Sequence, residues 1–196
     1  MATTPAPEVL TKSQHARRGR VIQAAIELAT EGGYDAVQMR DVAARADVAL
    51  GTVYRYFSSK DHLLSAALLE WARNLESGIS ARLGPSADAP VDRLVAVVRR
   101  ITRASEREPA LFAALVTAIT APDPAVSECQ AQVQDIVSAA LSLPLDGVDP
   151  EIRAGTVRVL AHVWFASLLG WVNGWTAMEK VADELEFAAR LLLREN

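Results

Sequence analysis

The chain is poor in the residues that most active chemistry requires. In 196 residues it has one cysteine, Cys129, and three histidines, His15, His62 and His162. A single cysteine can neither close an intramolecular disulfide nor supply a zinc pair. Cys129 is therefore expected to be a small core residue in a reducing, intracellular setting. The histidines fall near the N-terminus, after a short helix and within an apolar helix, positions that do not converge. H-E-x-x-H, G-x-S-x-G and a phosphate-binding loop are all missing. The sequence predicts no catalytic residue, no metal and no cofactor.

Long hydrophobic runs are also missing. The N-terminal "MATTPAPEVLTKSQHARRGR" has no apolar stretch of the kind a secretory leader needs. The longest apolar run, Val159 to Val172, is broken by His162, Ser167 and Gly170 and falls short of the roughly 20 residues that span a bilayer. A soluble, cytoplasmic protein with no membrane partner is expected. Basic charge is lacking too, with a net charge of −4 over the chain. It is unevenly spread. Residues 1–60 hold eight Lys/Arg and six Asp/Glu, net +2, against twelve and eighteen, net −6, in residues 61–196. A phosphate-facing surface, if there is one, belongs in the first sixty residues.

What the chain does have is Ala, Leu and Val, within a 51% hydrophobic composition that favours helices. No strand-like alternation and no internal repeat is visible. Residues 1–13 read as a flexible tail. Apolar spacing then predicts helices over 14–31, stopped by Gly32-Gly33, over 37–46 and over 50–57. Ser58-Ser59 caps a long helix from Lys60 to about Leu83. Beyond the loop "GPSADAP", helices are expected over 91–106, 108–120, 126–143, 151–175 and 178–194. The expected fold is all-α, with about nine helices. A three-helix unit over 14–60 precedes a six-helix domain over 61–196.

The stretch "RADVALGTVYRYFSSK" is the least core-like in the chain. Two short helices joined by a tight turn make a helix-turn-helix, whose second helix can enter a DNA major groove. Val42, Ala43, Val48, Val53 and Phe57 would face inward and fix the angle. Arg40, Leu50, Gly51, Thr52, Tyr54, Tyr56 and Lys60 are left outward or flanking. Gly51 lets backbone approach a groove. Thr52 and Arg40 suit base edges, and Tyr54, Tyr56 and Lys60 suit phosphates. Taken singly, each has an ordinary reading as packing or solvated charge; together, at this spacing, they point to DNA. Arg55 is the weakest member, directed to solvent or to Asp61. The basic run Lys12, Arg17, Arg18 and Arg20 either touches flanking phosphates or is a solvated tail.

"GGYDAVQMRDVAARADVALGTVYRYFSSKDHLL", residues 32–64, closely resembles the signature of TetR-family transcriptional regulators. The resemblance is strong over about fifty residues; elsewhere it rests on helix number and length. It implies a homodimer that binds a palindromic operator and releases it when a small ligand enters the C-terminal domain. Base contacts would fall on Arg40, Leu50, Gly51 and Thr52, and phosphate contacts on Tyr54, Tyr56 and Lys60. Leu50 and Gly51 stand where some members carry longer polar side chains, which shifts readout towards Arg40, thymine methyls or DNA shape. Within the family, "GGYDAVQMRDVAARADVA" and "VWFASLLGWV" are similar to the KstR-type repressors of sterol catabolism, which implies a sterol-derived acyl-CoA as inducer.

In the second domain, Trp71, Leu75, Ile101, Phe112, Leu115, Val116, Ile119 and Trp164 are candidates to line a cavity for a large hydrophobic ligand; such stripes are otherwise core. Arg99, Arg100, Arg103 and Arg107 would meet an anionic group or solvent. The helix over 151–175 is apolar nearly all round, which requires burial on every side or a subunit interface. The resemblance places the last two helices in a dimeric four-helix bundle. Leu168, Trp171, Trp175, Leu185, Ala189 and Leu192 are the interface candidates, with core packing as the other reading. The rival to a DNA-binding regulator is a helical adaptor protein, which leaves Thr52, Tyr54, Tyr56 and Lys60 without a purpose.

Overall fold

A computed structural model describes residues 11–80 and 88–194. Among them every regular element is helical, as expected. The elements are α1 (Lys12–Ala36), α2 (Met39–Arg45), α3 (Leu50–Tyr56), α4 (Lys60–Ser80), α5 (Pro90–Ser105), α6 (Pro109–Ala118), α7 (Pro124–Ser142), α8 (Pro150–Val172) and α9 (Met178–Leu192). A 3-10 turn, Leu143–Leu145, follows α7. Most of the expected tail and the expected end of α4 lie outside the described residues, but Lys12 and Ser13 are already helical.

Local chemistry explains where the helices start. Thr11 and Gln14 form a capping box on α1, Gln14 N–H donating to Thr11 Oγ1 and Thr11 N–H to Gln14 Oε1. Ser59 caps α4, its Oγ accepting from His62 N–H at 3.0 Å. Asp123 and Asp149 cap α7 and α8 in front of prolines whose missing N–H costs nothing in a first turn. Asp123→Ala should lower stability by about 1 kcal/mol, read as a lower urea midpoint at unchanged slope; an unchanged midpoint would show that solvent replaces this cap.

The first run of α1 stops at Gly32-Gly33 as expected, and a short helical piece continues beyond the kink to Ala36. Gly32 and Gly33 leave helical geometry, Gly33 at φ +70°, and a Cβ on Gly32 would lie 2.7 Å from that of Ala36. The chain can turn there only because both side chains are missing. This break delivers Tyr34 towards the start of α4.

The helices enclose one continuous apolar core. α1 packs on α6 as well as on α2 and α4, α4 packs most extensively on α7, and α9 closes against α5 and α8. α4 thus belongs to both halves of the molecule.

α8 departs from expectation in two ways. It is long and apolar enough to cross a membrane by length and composition, the one helix among the described residues that is, although its apolar run alone looked too short. It packs instead against α9, α7 and α6. Nor is it buried on every side: Ile152, Val159 and Phe165 are exposed, as are Phe187 and Leu191 of α9. It also ends at Val172, so Trp175 lies in the following turn, 80% exposed.

Candidate nucleic-acid interface and ligand cavity

Val42, Ala43, Val53 and Phe57 are buried and Val48 is half-buried, fixing α3 against α2 as their spacing requires. The turn between the two helices is tightened by Asp47 at φ 52° and by Val48 N–H donating to Ala43 O at 3.0 Å. Asp is among the few residues that tolerate this left-handed backbone. Arg40, Leu50, Gly51 and Tyr54 are exposed, and Thr52, Tyr56 and Lys60 are half-buried. The predicted contact set therefore lies on α3 and its flanks. A Cβ on Gly51 would meet nothing within 4 Å in this chain. Packing within the chain does not ask for glycine there.

Arg55 points neither to solvent alone nor to Asp61. Its Nη2 donates to Tyr56 Oη at 3.3 Å, and its guanidinium lies 5.2 Å from the Tyr56 ring centre. Asp61 instead accepts from Tyr34 Oη at 2.6 Å. Burial first, and then Asp61, push the Tyr34 phenol up to about 12, so it stays a donor throughout the working pH range. Lys60 Nζ sits 3.7 Å from the Tyr34 ring centre and donates to Tyr34 O at 3.2 Å.

The basic run on α1 also divides. Arg18 is neither a solvated tail nor free for phosphate: it bonds Glu70 of α4 at 3.2 Å and covers the Phe57 ring at 5.1 Å. Arg20 Nε donates to Ala46 O at 3.4 Å. Lys12 is exposed and Arg17 half-buried. His62 completes the joint. Its Nδ1 accepts from Ser58 N–H at 3.2 Å, its ring meets Phe57 edge-on at 5.3 Å, and burial holds its pKa below the ordinary histidine value.

A cavity of about 350 Å³ opens among α4, α6, α7 and α8, within the size range of small-molecule sites. Five of the eight predicted residues line it: Trp71, Phe112, Val116, Ile119 and Trp164. Ile101 faces a narrow crevice between α5, α8 and α9 instead, Leu115 is buried in the core of α6, and Leu75 packs half-buried against the core. Trp71 and Phe112 stack at 5.1 Å across the α4–α6 contact, and Trp171 joins them at 6.1 Å from Phe112. α7 supplies a wall that the sequence reading missed: Gln130, Val133, Gln134 and Val137. Their i, i+3, i+4, i+7 spacing marks one helix face, a visible signal that the glutamines disguised. From α8 come Ala161, His162, Phe165 and Leu168, and from α4 Leu68 and Ala72.

Among the described residues, no Lys, Arg, Asp or Glu side chain lines the cavity. The arginines of α5 are not part of it; Arg99 is bonded to Glu186 of α9. His162 Nδ1 lies 2.7 Å from Arg158 O. A carbonyl can only accept, so Nδ1 carries a proton and donates it.

The interface candidates are corrected in part. Leu168, Leu185 and Ala189 are buried within this single chain, where α8 and α9 pack on each other and on α5, and have little surface left for a partner. Trp171 and Leu192 are half-buried against the same core. The large apolar side chains left exposed on α8, α9 and the turn between them are Ile152, Val159, Phe165, Trp175, Phe187 and Leu191, of which only Trp175 was an interface candidate. Among the described residues no group of three or more His, Cys, Asp or Glu side chains is placed to share a metal ion.

The chain is similar to known proteins in sequence and fold. Residues 21–67 match the family model for bacterial regulatory proteins of the tetR family, and residues 87–192 match the tetracyclin repressor-like C-terminal domain. The HTH-type transcriptional repressor KstR of Rhodococcus jostii (strain RHA1) is 37% identical over 193 residues, 98% of this chain and 90% of that protein. The crystal structure of a TetR transcriptional regulator from Rhodococcus sp. RHA1 superposes with a TM-score of 0.80 at 33% identity, covering 93% of this chain and 98% of the other. Thermus thermophilus FadR, a TetR family transcriptional repressor in complex with lauroyl-CoA, superposes with a TM-score of 0.72 at 26% identity, over 91% and 97% of the two chains. With both halves of the molecule matched, this chain belongs to the TetR family of bacterial regulatory proteins.

Proposed function

We infer that this chain is a cytoplasmic, ligand-responsive transcriptional repressor. It binds a palindromic operator as a homodimer and leaves it when a large hydrophobic molecule fills the α4–α6–α7–α8 cavity. The observation that carries this reading is α4. Its first residue, Lys60, flanks the recognition helix, while Leu68, Trp71 and Ala72 further along it line the cavity. One rigid helix joins the two sites. In a dimer, two recognition helices must meet successive major grooves roughly 34–36 Å apart, so a small tilt of α4 removes both from register together. The exposed apolar residues Ile152 and Val159 of α8 and Phe187 and Leu191 of α9 are the ones that would pair the protomers. The ligand is a long-chain or sterol-derived acyl-CoA whose apolar part occupies the cavity. The FadR structure in complex with lauroyl-CoA supports that class, and the absence of charge among the described lining residues suits its apolar part.

Fluorescence anisotropy on DNA from upstream of its own gene tests the reading, first alone and then with long-chain and sterol-derived acyl-CoA thioesters. Tight, sequence-dependent binding released by one thioester is the expected result. Binding that no thioester releases would remove the ligand class, and no binding by a confirmed dimer at low salt would favour the adaptor reading. In the same assay Lys60→Ala and Tyr56→Phe should weaken binding to all duplexes alike, Lys60→Ala lowering the salt slope by about one per contact. Arg40→Ala should instead relax preference at particular bases.

A further inference from the structure

Lys60 is electrostatically misplaced. It is the first residue of α4, where unsatisfied N–H groups already concentrate positive charge and a cation is disfavoured. An ammonium kept at such a place needs compensation from its surroundings. Tyr34 supplies it twice. The ring face lies 3.7 Å from Nζ, and the backbone carbonyl of the same residue accepts from Nζ at 3.2 Å. Tyr34 is itself held: its hydroxyl donates to Asp61 Oδ1 at 2.6 Å, and the Gly32–Gly33 break in α1 brings it over α4.

We propose that Tyr34 is a positioning residue for DNA binding, whose ring and carbonyl aim the Lys60 ammonium at a phosphate. The inference rests on the DNA-binding function proposed above and extends it to a residue of α1 outside the helix-turn-helix. An ammonium has three N–H donors. The carbonyl takes one and the ring covers one side, so the remaining donors point away from Tyr34. A free lysine would have to give up rotamer freedom each time it bound phosphate. Here Tyr34 has already taken that freedom away in the unbound protein. The aromatic ring is also a suitable holder because it attracts the cation without neutralising it.

A double-mutant cycle on the full-length protein tests this, with a short random-sequence duplex as probe, because phosphate contacts carry no sequence information. Tyr34→Leu, Lys60→Ala and the double variant are titrated across a salt series. Tyr34→Leu should weaken binding about fivefold per subunit, the size expected when one freed lysine side chain must be immobilised again on binding, and should have no further effect when Lys60 is already alanine. Tyr34→Phe, which keeps ring and carbonyl, should bind within about twofold of the parent. If Tyr34→Leu does not fold, Tyr34→Met, longer and more adaptable in packing, takes its place in the cycle. Equal losses from Tyr34→Leu with and without Lys60 would overturn the positioning role while leaving the phosphate contact. An unchanged affinity and salt slope for Lys60→Ala alone would instead remove the phosphate contact, and with it the reason for positioning.

Discussion

Phe57→Ala is expected to lower stability by about 3–5 kcal/mol and to abolish DNA binding at concentrations where the folded parent is saturated. Phe57 is fully buried at the last turn of the recognition helix, the point where the N-terminal unit meets the rest of the molecule. Its ring is gripped from three sides. His62 of α4 meets it edge-on at 5.3 Å, Arg18 of α1 covers it at 5.1 Å, and Tyr56 stands 6.4 Å away. Removing it leaves a cavity and also uncovers a guanidinium and an imidazole that were packed on an apolar face. The second effect is the reason to expect the upper part of the range. Urea denaturation followed by tryptophan fluorescence gives the stability, since Trp71 and Trp164 both lie in the core region of the second domain. A loss smaller than about 1 kcal/mol would mean that α3 is held mainly by Val53 and the turn.

Ala161→Trp is expected to have the largest functional effect, a repressor that no longer responds. Ala161 lines the cavity on α8 and is half-buried, facing space rather than packed atoms. An indole there would enter the void, so it should be accommodated without the strain that overpacking a filled core brings. Operator affinity should remain within about twofold, while the ligand concentration needed for release rises at least about a hundredfold. That is the scale of excluding a ligand's apolar body, at about 25 cal/mol per Å² of buried surface. Anisotropy with the releasing thioester reads both quantities in one titration. Unchanged release would place the ligand elsewhere, and lost operator binding would show that filling the cavity mimics the ligand.

Much of this molecule was determined locally by its sequence. The helices, their caps at Ser59 and Asp123, the Gly32–Gly33 break and the outward set on α3 all depend on neighbours within about four residues. So does the inward set Val42, Ala43, Val53 and Phe57, because a helix-turn-helix is short enough for its spacing to decide which side faces in. The tertiary structure alone decided the roles of the apolar residues further along. Trp71, Phe112 and Trp164 face the cavity, Ile101 and Leu115 do not, and Leu185 and Ala189 are core where an interface was expected. Gln130 and Gln134 joined the cavity wall although they look like surface residues, and Arg18 became a structural pin rather than part of a basic arm. The physical reason is that apolar burial is non-directional. A leucine gains much the same free energy against a core, a ligand or a second subunit, so its identity cannot say which of them it meets. Only the placement of whole helices leaves one stripe packed, one lining a void and one open to solvent.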